Sequence, residues 1–268
     1  MNNYSCINIY LRACNPSQNK PNNIRPHWYS QNNCFINLLQ TINWDLVNLT
    51  IVHDGDIKNT LVQELQHYPY NIKQIDTFSY KGYSYEQNCG SSKSLCLTSQ
   101  IIKEDNIPDN ELIYILEQDY LHLSGWCEEI LDLYNNLDKY AYSDANKHFC
   151  SLYTHPDKVL FINPNANNEW GLYKNMECKV IAAQKRYWAY LPSITSSLIM
   201  TKYLFDKFYY YLENGYSDNT MTEQFIRDGA FLIAPVERSL ATHCQNPWLS
   251  FYIDWEKVNN YANSLSRS

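Results

Sequence analysis

The densest chemistry in this sequence lies in Ile113-Tyr114-Ile115-Leu116-Glu117-Gln118-Asp119, an apolar run that ends in two carboxylates separated by one residue. Strand alternation sets Glu117 and Asp119 on one side, about 7 Å apart. Hard oxygen ligands at that spacing can hold Mg²⁺ or Mn²⁺, directly or through water, with substrate phosphates completing the shell. Solvated acids at an ordinary strand end are the plainer reading of the same triplet. His243, in Ser239-Leu240-Ala241-Thr242-His243-Cys244, also follows an apolar stretch. A neutral imidazole joins a Mn²⁺ shell more readily than a Mg²⁺ shell; a hydrogen-bonded structural histidine is the alternative. Gly90-Ser91-Ser92-Lys93-Ser94 opens a helical stretch. Small residues and a lysine at a helix N-terminus suit a phosphate oxygen, and an ordinary serine N-cap explains them too.

These groups need elements to carry them. Residues 5–12, 48–53, 70–76 and 111–117 read as strands. Residues 29–43, 57–67, 93–104 and 124–137 read as helices, the last with Ser124 as its N-cap. This alternation predicts an open α/β sheet with helices on both faces. Beyond it, 147–161 reads as two strands broken at His155-Pro156, and 168–190 as a meander. Helices follow at 201–213 and 220–228, then an extended stretch, 230–244, turning near Pro235. No repeat or linker divides the chain, which reads as one domain.

In open α/β sheets, ligands bind outside the carboxyl ends of the strands. Arg12 and Asn15 follow the first strand, and His53, Asp54 and Asp56 the second. Asp76 follows the third, and Glu117, Gln118 and Asp119 close the fourth. A pure phosphate site would carry a glycine-rich loop, and the chain has neither G-x-G-x-x-G nor a Walker A motif. The acidic rim points instead to a divalent cation or to sugar hydroxyls.

Composition narrows the class. The 268 residues are 45% hydrophobic, with a net charge of −7, which excludes broad binding to a nucleic acid backbone. No run of about 18 apolar residues could span a membrane. The N-terminus lacks the pattern of a secretory signal, so a cytoplasmic location is expected. Nine scattered cysteines without a C-x-x-C pair read as reduced thiols.

Four segments in order, Arg12-Ala13-Cys14-Asn15, Val52-His53-Asp54-Gly55, Glu117-Gln118-Asp119 and Ala241-Thr242-His243, resemble glycosyltransferases of the GT-A fold, similar to family 2. The departure is Glu-x-Asp where that family carries Asp-x-Asp. The resemblance implies a GT-A-like open mixed sheet in a single domain, with 1–122 as the donor half and 123–268 as the acceptor half. It implies Asp119 as a direct ligand of Mn²⁺ or Mg²⁺, with His243 completing the shell or touching the diphosphate. Glu117 would touch the ribose or a metal-bound water, Gln118 would belong to the nucleotide-sugar site, Arg12 and Asn15 would border base and ribose, and Ser91 and Lys93 would stand near the phosphates. Asp54 would accept a hydrogen bond from the base; a turn-forming aspartate is its plainer reading.

The implied activity is hexosyl transfer from a nucleotide-sugar, UDP being the first guess, to a glycan or other hydroxyl acceptor, with inversion. The general base would stand near the start of a late helix. Asp218, in Tyr216-Ser217-Asp218-Asn219-Thr220, fits that place, and Glu223 is the second candidate. Residues 193–197 would lie under the acceptor. Trp170, Tyr187, Trp188, Tyr190, Trp248 and Trp255 could stack on sugars, although core packing accounts for most of them. A non-catalytic nucleotide- or carbohydrate-binding protein is the alternative. A sugar-phosphate nucleotidyltransferase is disfavoured by the missing Gly-rich, basic loop after the first strand.

Overall fold

The computed structural model describes residues 3–15, 24–82, 90–141, 143–156, 180–191 and 197–265. Its centre is a parallel run of four strands, β1 (Cys6–Cys14), β2 (Val47–Asp54), β3 (Tyr70–Ile75) and β4 (Glu111–Glu117), in the order β3-β2-β1-β4. The interiors of β1 and β4 are buried on both faces, which is why they read as near-continuous apolar runs. Helices α1 (Gln31–Thr41), α2 (Leu61–Glu64) and α3 (Gly90–Glu104) make the crossovers. Two further helices, α4 (Trp126–Asn135) and α5 (Leu137–Ala141), follow β4 and a short strand, β5 (Tyr120–His122).

Beyond β4 the sheet becomes mixed. It continues through β9 (Leu198–Thr201), β6 (His148–Cys150), β10 (Phe231–Pro235), β8 (Tyr187–Leu191) and β7 (Val180–Ala182), giving nine strands among the described residues. β9 runs antiparallel to both β4 and β6. β11 (Ala241–His243) leaves this sheet and pairs antiparallel with β5. The remaining helices are α6 (Lys202–Glu213), α7 (Asp218–Arg227) and α8 (Trp255–Leu265). The open α/β sheet with helices on both faces is thus present, as expected.

Alternation sorts the side chains. Ile7, Ile9, Leu11, Leu112, Tyr114 and Leu116 pack on the side of α1 and α4. Tyr10, Val52, Ile113 and Ile115 pack on the side of α3, α6 and α7. Polar residues at the strand ends inherit the same two sides.

Several elements differ from the sequence reading. The helix expected over 57–67 is confined to Leu61–Glu64, capped by Thr60, and buries only Val62, too little apolar surface to propagate further. Ser124 is not the cap of α4; Gly125, at φ 84°, turns the chain into it. Of the two strands expected over 147–161, β6 is the described one, and 157–179 lie outside the described residues, as does most of 193–197. Strands β5 and β9 and helix α8 had no counterpart in the sequence reading. No described helix is long and apolar enough to cross a membrane.

Candidate active site

Parallel pairing of β1 with β4 sets Arg12 opposite Glu117, both on the α3 side of the sheet. Arg12 is 7% exposed. Its guanidinium lies 3.4 Å from Glu117 Oε1 and donates to Ser91 Oγ at 2.8 Å, to the Ser91 carbonyl and to Ser94 Oγ at 3.4 Å. Ser91 Oγ in turn donates to Glu117 Oε1 at 3.2 Å. Arg12 thereby ties the first turn of α3 to the ends of two strands. Ser91 and Lys93 stand on that turn.

The turn between α6 and α7 rests on the same part of α3. A Cβ on Gly215, at φ 59°, would lie 2.6 Å from the Ser92 carbonyl and 2.9 Å from Cys96 Sγ. Asp218 is the first residue of α7, after the N-cap position Ser217. Its backbone therefore starts three residues beyond that contact, on the Arg12 side of the sheet. Glu223 forms an i,i+4 pair with Arg227 at 3.6 Å, an ordinary helix-surface contact.

The carboxylates are brought together by a turn, not by strand alternation. The chain leaves β4 at Glu117, turns through Gln118-Asp119 and enters β5 at Tyr120. The β5–β11 ladder sets His243 opposite Tyr120, and their rings stack with centroids 5.0 Å apart. His243 Nε2 reaches Asp119 Oδ2 at 3.1 Å, while the Cys244 amide donates to the Asp119 carbonyl at 2.9 Å. Arg25 donates to the same Oδ2 at 2.7 Å and to the Cys244 carbonyl at 2.8 Å. Its guanidinium lies over the Tyr29 ring at 4.9 Å.

Asp119 Oδ1 is buried and has no hydrogen-bond partner among the described residues. Glu117, Asp119 and His243 each offer a ligand atom, and these lie within 4.8 Å of one another. Two carboxylates, one of them with an oxygen free of other partners among the described residues, and one imidazole nitrogen fit a divalent cation. Burial by itself raises the Asp119 pKa, but the facing His243 and Arg25 outweigh it and hold the carboxyl well below its usual range. Burial alone lowers the His243 pKa, and the attraction of Asp119 turns the net shift upward.

Beside this cluster, a cavity of about 310 Å³ opens at the ends of β1 and β2, with Ala13, Asn15, Phe35, His53, Lys58 and Gln118 on its wall. Gln118 is fixed there: its Oε1 accepts from the Cys14 amide at 2.9 Å and its Nε2 donates to Cys14 Sγ at 3.3 Å. Asn15 Nδ2 donates to the Asp56 carbonyl at 3.0 Å. Alternation along β2 puts His53, and not Asp54, on this wall. The Asp54 carboxylate accepts from the Thr77 amide at 3.0 Å and the Thr77 hydroxyl at 2.6 Å. Trp188 and Trp255 are core residues. Trp170 lies outside the described residues.

The sequence reading missed Arg25 and the stacked Tyr120. One signal was available: Arg25 is one of six arginines, set in a stretch rich in Asn and Pro.

By sequence, the chain matches no protein-family profile and no curated relative. In shape it is similar to galactosyltransferase LgtC in complex with donor and acceptor sugar analogues, at 10% identity and TM-score 0.46, over 96% of this chain and 95% of that one. It is also similar to the inositol-1-phosphate CTP transferase of T. maritima, at 11% identity and TM-score 0.46, over 97% of each chain. Mouse xyloside xylosyltransferase 1 in its apo form matches at 10% identity and TM-score 0.39, over 81% of this chain and 80% of that one. These neighbours include glycosyl- and nucleotidyltransferases.

Proposed function

We propose that the chain is a glycosyltransferase that moves a sugar from a nucleoside diphosphate donor to a hydroxyl acceptor, using Mn²⁺ or Mg²⁺. The observation that supports this reading is the meeting of Glu117, Asp119 and His243, whose possible ligand atoms lie within 4.8 Å of one another, with one buried Asp119 oxygen left unpartnered among the described residues. They meet where the strand order reverses, β2 lying on one side of β1 and β4 on the other. A crevice for a ligand opens at such a switch point.

In this reading Asp119 and His243 hold the cation, with Glu117 touching it directly or through water. When bound, the cation supplies positive charge against the departing diphosphate. Arg12 orients Glu117 and holds the Ser91–Lys93 turn toward the phosphates. The cavity beside Asn15, His53 and Gln118 receives the nucleoside, with UDP the first nucleotide to test. Asp54, already engaged by Thr77, shapes the turn beneath it.

Asp218 is the general base. It takes the acceptor hydroxyl proton as that oxygen bonds to the anomeric carbon and the bond from carbon to the diphosphate oxygen breaks, with inversion. The start of α7 favours the ionised carboxylate this step needs. Residues 1–122 and 123–268 then act as donor and acceptor halves of one domain.

The test is to incubate the protein with UDP-, GDP- and CDP-hexoses and Mn²⁺ and to measure released nucleoside diphosphate. Release that requires Mn²⁺ and disappears in Asp119→Asn supports the reading. Formation of pyrophosphate from a nucleoside triphosphate and a sugar phosphate would replace it with nucleotidyl transfer. Tight nucleotide binding without turnover for any donor would leave a binding protein.

A further inference from the structure

We infer that Arg25 is a built-in counter-ion that makes the site take a divalent cation and a diphosphate together rather than the cation alone. The inference rests on the cation site proposed above and adds a residue that controls its loading. Glu117 and Asp119 bring two negative charges, and each already faces an arginine, Arg12 at 3.4 Å and Arg25 at 2.7 Å. The four side chains are between 5% and 23% exposed, so water and salt screen these charges weakly. The pair of carboxylates is therefore neutralised before a cation arrives. A cation entering alone leaves two uncompensated positive charges between two guanidinium groups. A diphosphate brings two or more negative charges and restores the balance.

The two arginines are held differently. Arg12 is locked at the junction of α3 and the strand ends by Ser91, Ser94 and Glu117. Arg25 precedes α1 and belongs to no strand or helix of the sheet. Among the described residues its side-chain contacts are Asp119, the Cys244 carbonyl and the Tyr29 ring. The backbone beside it is pinned where the Asn246 amide donates to the Ile24 carbonyl at 2.8 Å. When a cation claims the Asp119 carboxylate, Arg25 Nη1 can keep the Cys244 carbonyl while Nη2 loses its acceptor. A phosphate oxygen is the acceptor a diphosphate would supply, and a guanidinium suits it geometrically. Cation and diphosphate each raise the affinity of the other, by the same factor.

The experiment measures Mn²⁺ binding by calorimetry and by the electron paramagnetic resonance of free Mn²⁺, with and without UDP. It uses the full chain and its Arg25→Gln, Arg25→Lys and Asp119→Asn variants, each checked for folding by circular dichroism. The native chain should bind Mn²⁺ at least tenfold more tightly with UDP than without. Arg25→Gln, which drops the charge and keeps a donor, should bind Mn²⁺ alone at least tenfold more tightly than the native chain and lose most of the gain from UDP. Arg25→Lys should keep the coupling. Should Arg25→Gln unfold, the native chain still decides: equal Mn²⁺ affinity with and without UDP overturns the proposal. Asp119→Asn separates the two failures. If it abolishes Mn²⁺ binding while Arg25→Gln binds like the native chain, the cation site stands and the role of Arg25 is refuted. If Asp119→Asn binds Mn²⁺ undiminished, the cation site fails and this proposal with it.

Discussion

Acid should unfold this protein early, and His122 is the residue that makes the effect calculable. The side chain lies on β5, buried, with Nε2 3.1 Å from the Tyr114 hydroxyl and Nδ1 without a partner among the described residues. Trp126 packs against the ring, and Arg238, Asp254 and Lys257 share the cavity it lines, but among the described residues no carboxylate bonds to it. Burial pushes its pKa down to about 3, against about 6.5 in an unfolded chain. The folded value is the lower one, so the unfolded state binds the proton more readily. The stability that the neutral imidazole contributes is complete above pH 6.5 and is lost as pH falls from there toward 3. Each pH unit in that window costs about 1.4 kcal/mol, so moving from pH 7 to 4.5 removes roughly 3 kcal/mol. Burial also lowers the His148 pKa, which adds loss of the same sign. Carboxylates held down by partners, such as Asp206 with Lys103 and Lys202, add more. The comparison must therefore be between variants. His122→Gln keeps an amide within reach of Tyr114 and does not titrate. Urea unfolding at pH 7 and pH 4.5 should show the native chain losing roughly 3 kcal/mol more than His122→Gln. Equal losses would refute the argument, because burial of this imidazole would then carry no titration cost.

Thermal shift checks the cation site: a hundredfold excess of UDP over its Kd, with Mn²⁺, should stabilise the native chain by about 2.7 kcal/mol, and Asp119→Asn should show none of this. Asp119→Ala should also be less stable without ligands, by about 3 kcal/mol in urea, because it leaves the Arg25 guanidinium without its carboxylate. Gly215→Ala should cost about 1–3 kcal/mol, since the residue sits at positive φ and its new methyl would meet the Ser92 carbonyl; unchanged urea unfolding would count against that packing. Asp218→Asn should lower turnover about 10²–10⁴-fold with UDP affinity unchanged. Glu223→Gln, paired with Arg227 on a helix surface, should leave turnover near native, and the reverse result would move the base to Glu223.

The parallel core was legible because burial on both faces writes an unbroken apolar run, as in Ile113–Leu116. The acid pair was legible because it ends that run. Asp54 shows what such reading leaves open. It closes β2, where alternation turns it toward Thr77 and gives the cavity wall to His53. One residue of offset decides the side of a sheet, and the sequence signal around Asp54-Gly55 marks the turn without marking the side. Arg25 was invisible for another reason. Its partner is 94 residues away, and His243 is 124 residues from Asp119. No local pattern encodes such contacts.

What encodes them is the small β5–β11 ladder, two three-residue strands that would be unstable alone. Helix α1 supplies the support. Asn37, buried in mid-helix, accepts from the His122 amide at 2.6 Å and donates to the His122 carbonyl at 3.1 Å, acting as a neighbouring strand would. Cys34 from the same helix packs with Leu121, Cys244 and Trp255. A buried asparagine in a helix breaks the apolar pattern and looks like an error in the sequence. Here it satisfies backbone groups that the short ladder leaves open, and so fixes β5. With β5 fixed, β11 has one register, His243 falls opposite Tyr120, and its imidazole reaches Asp119. The candidate site thus depends on a polar residue in α1 that carries no chemistry of its own.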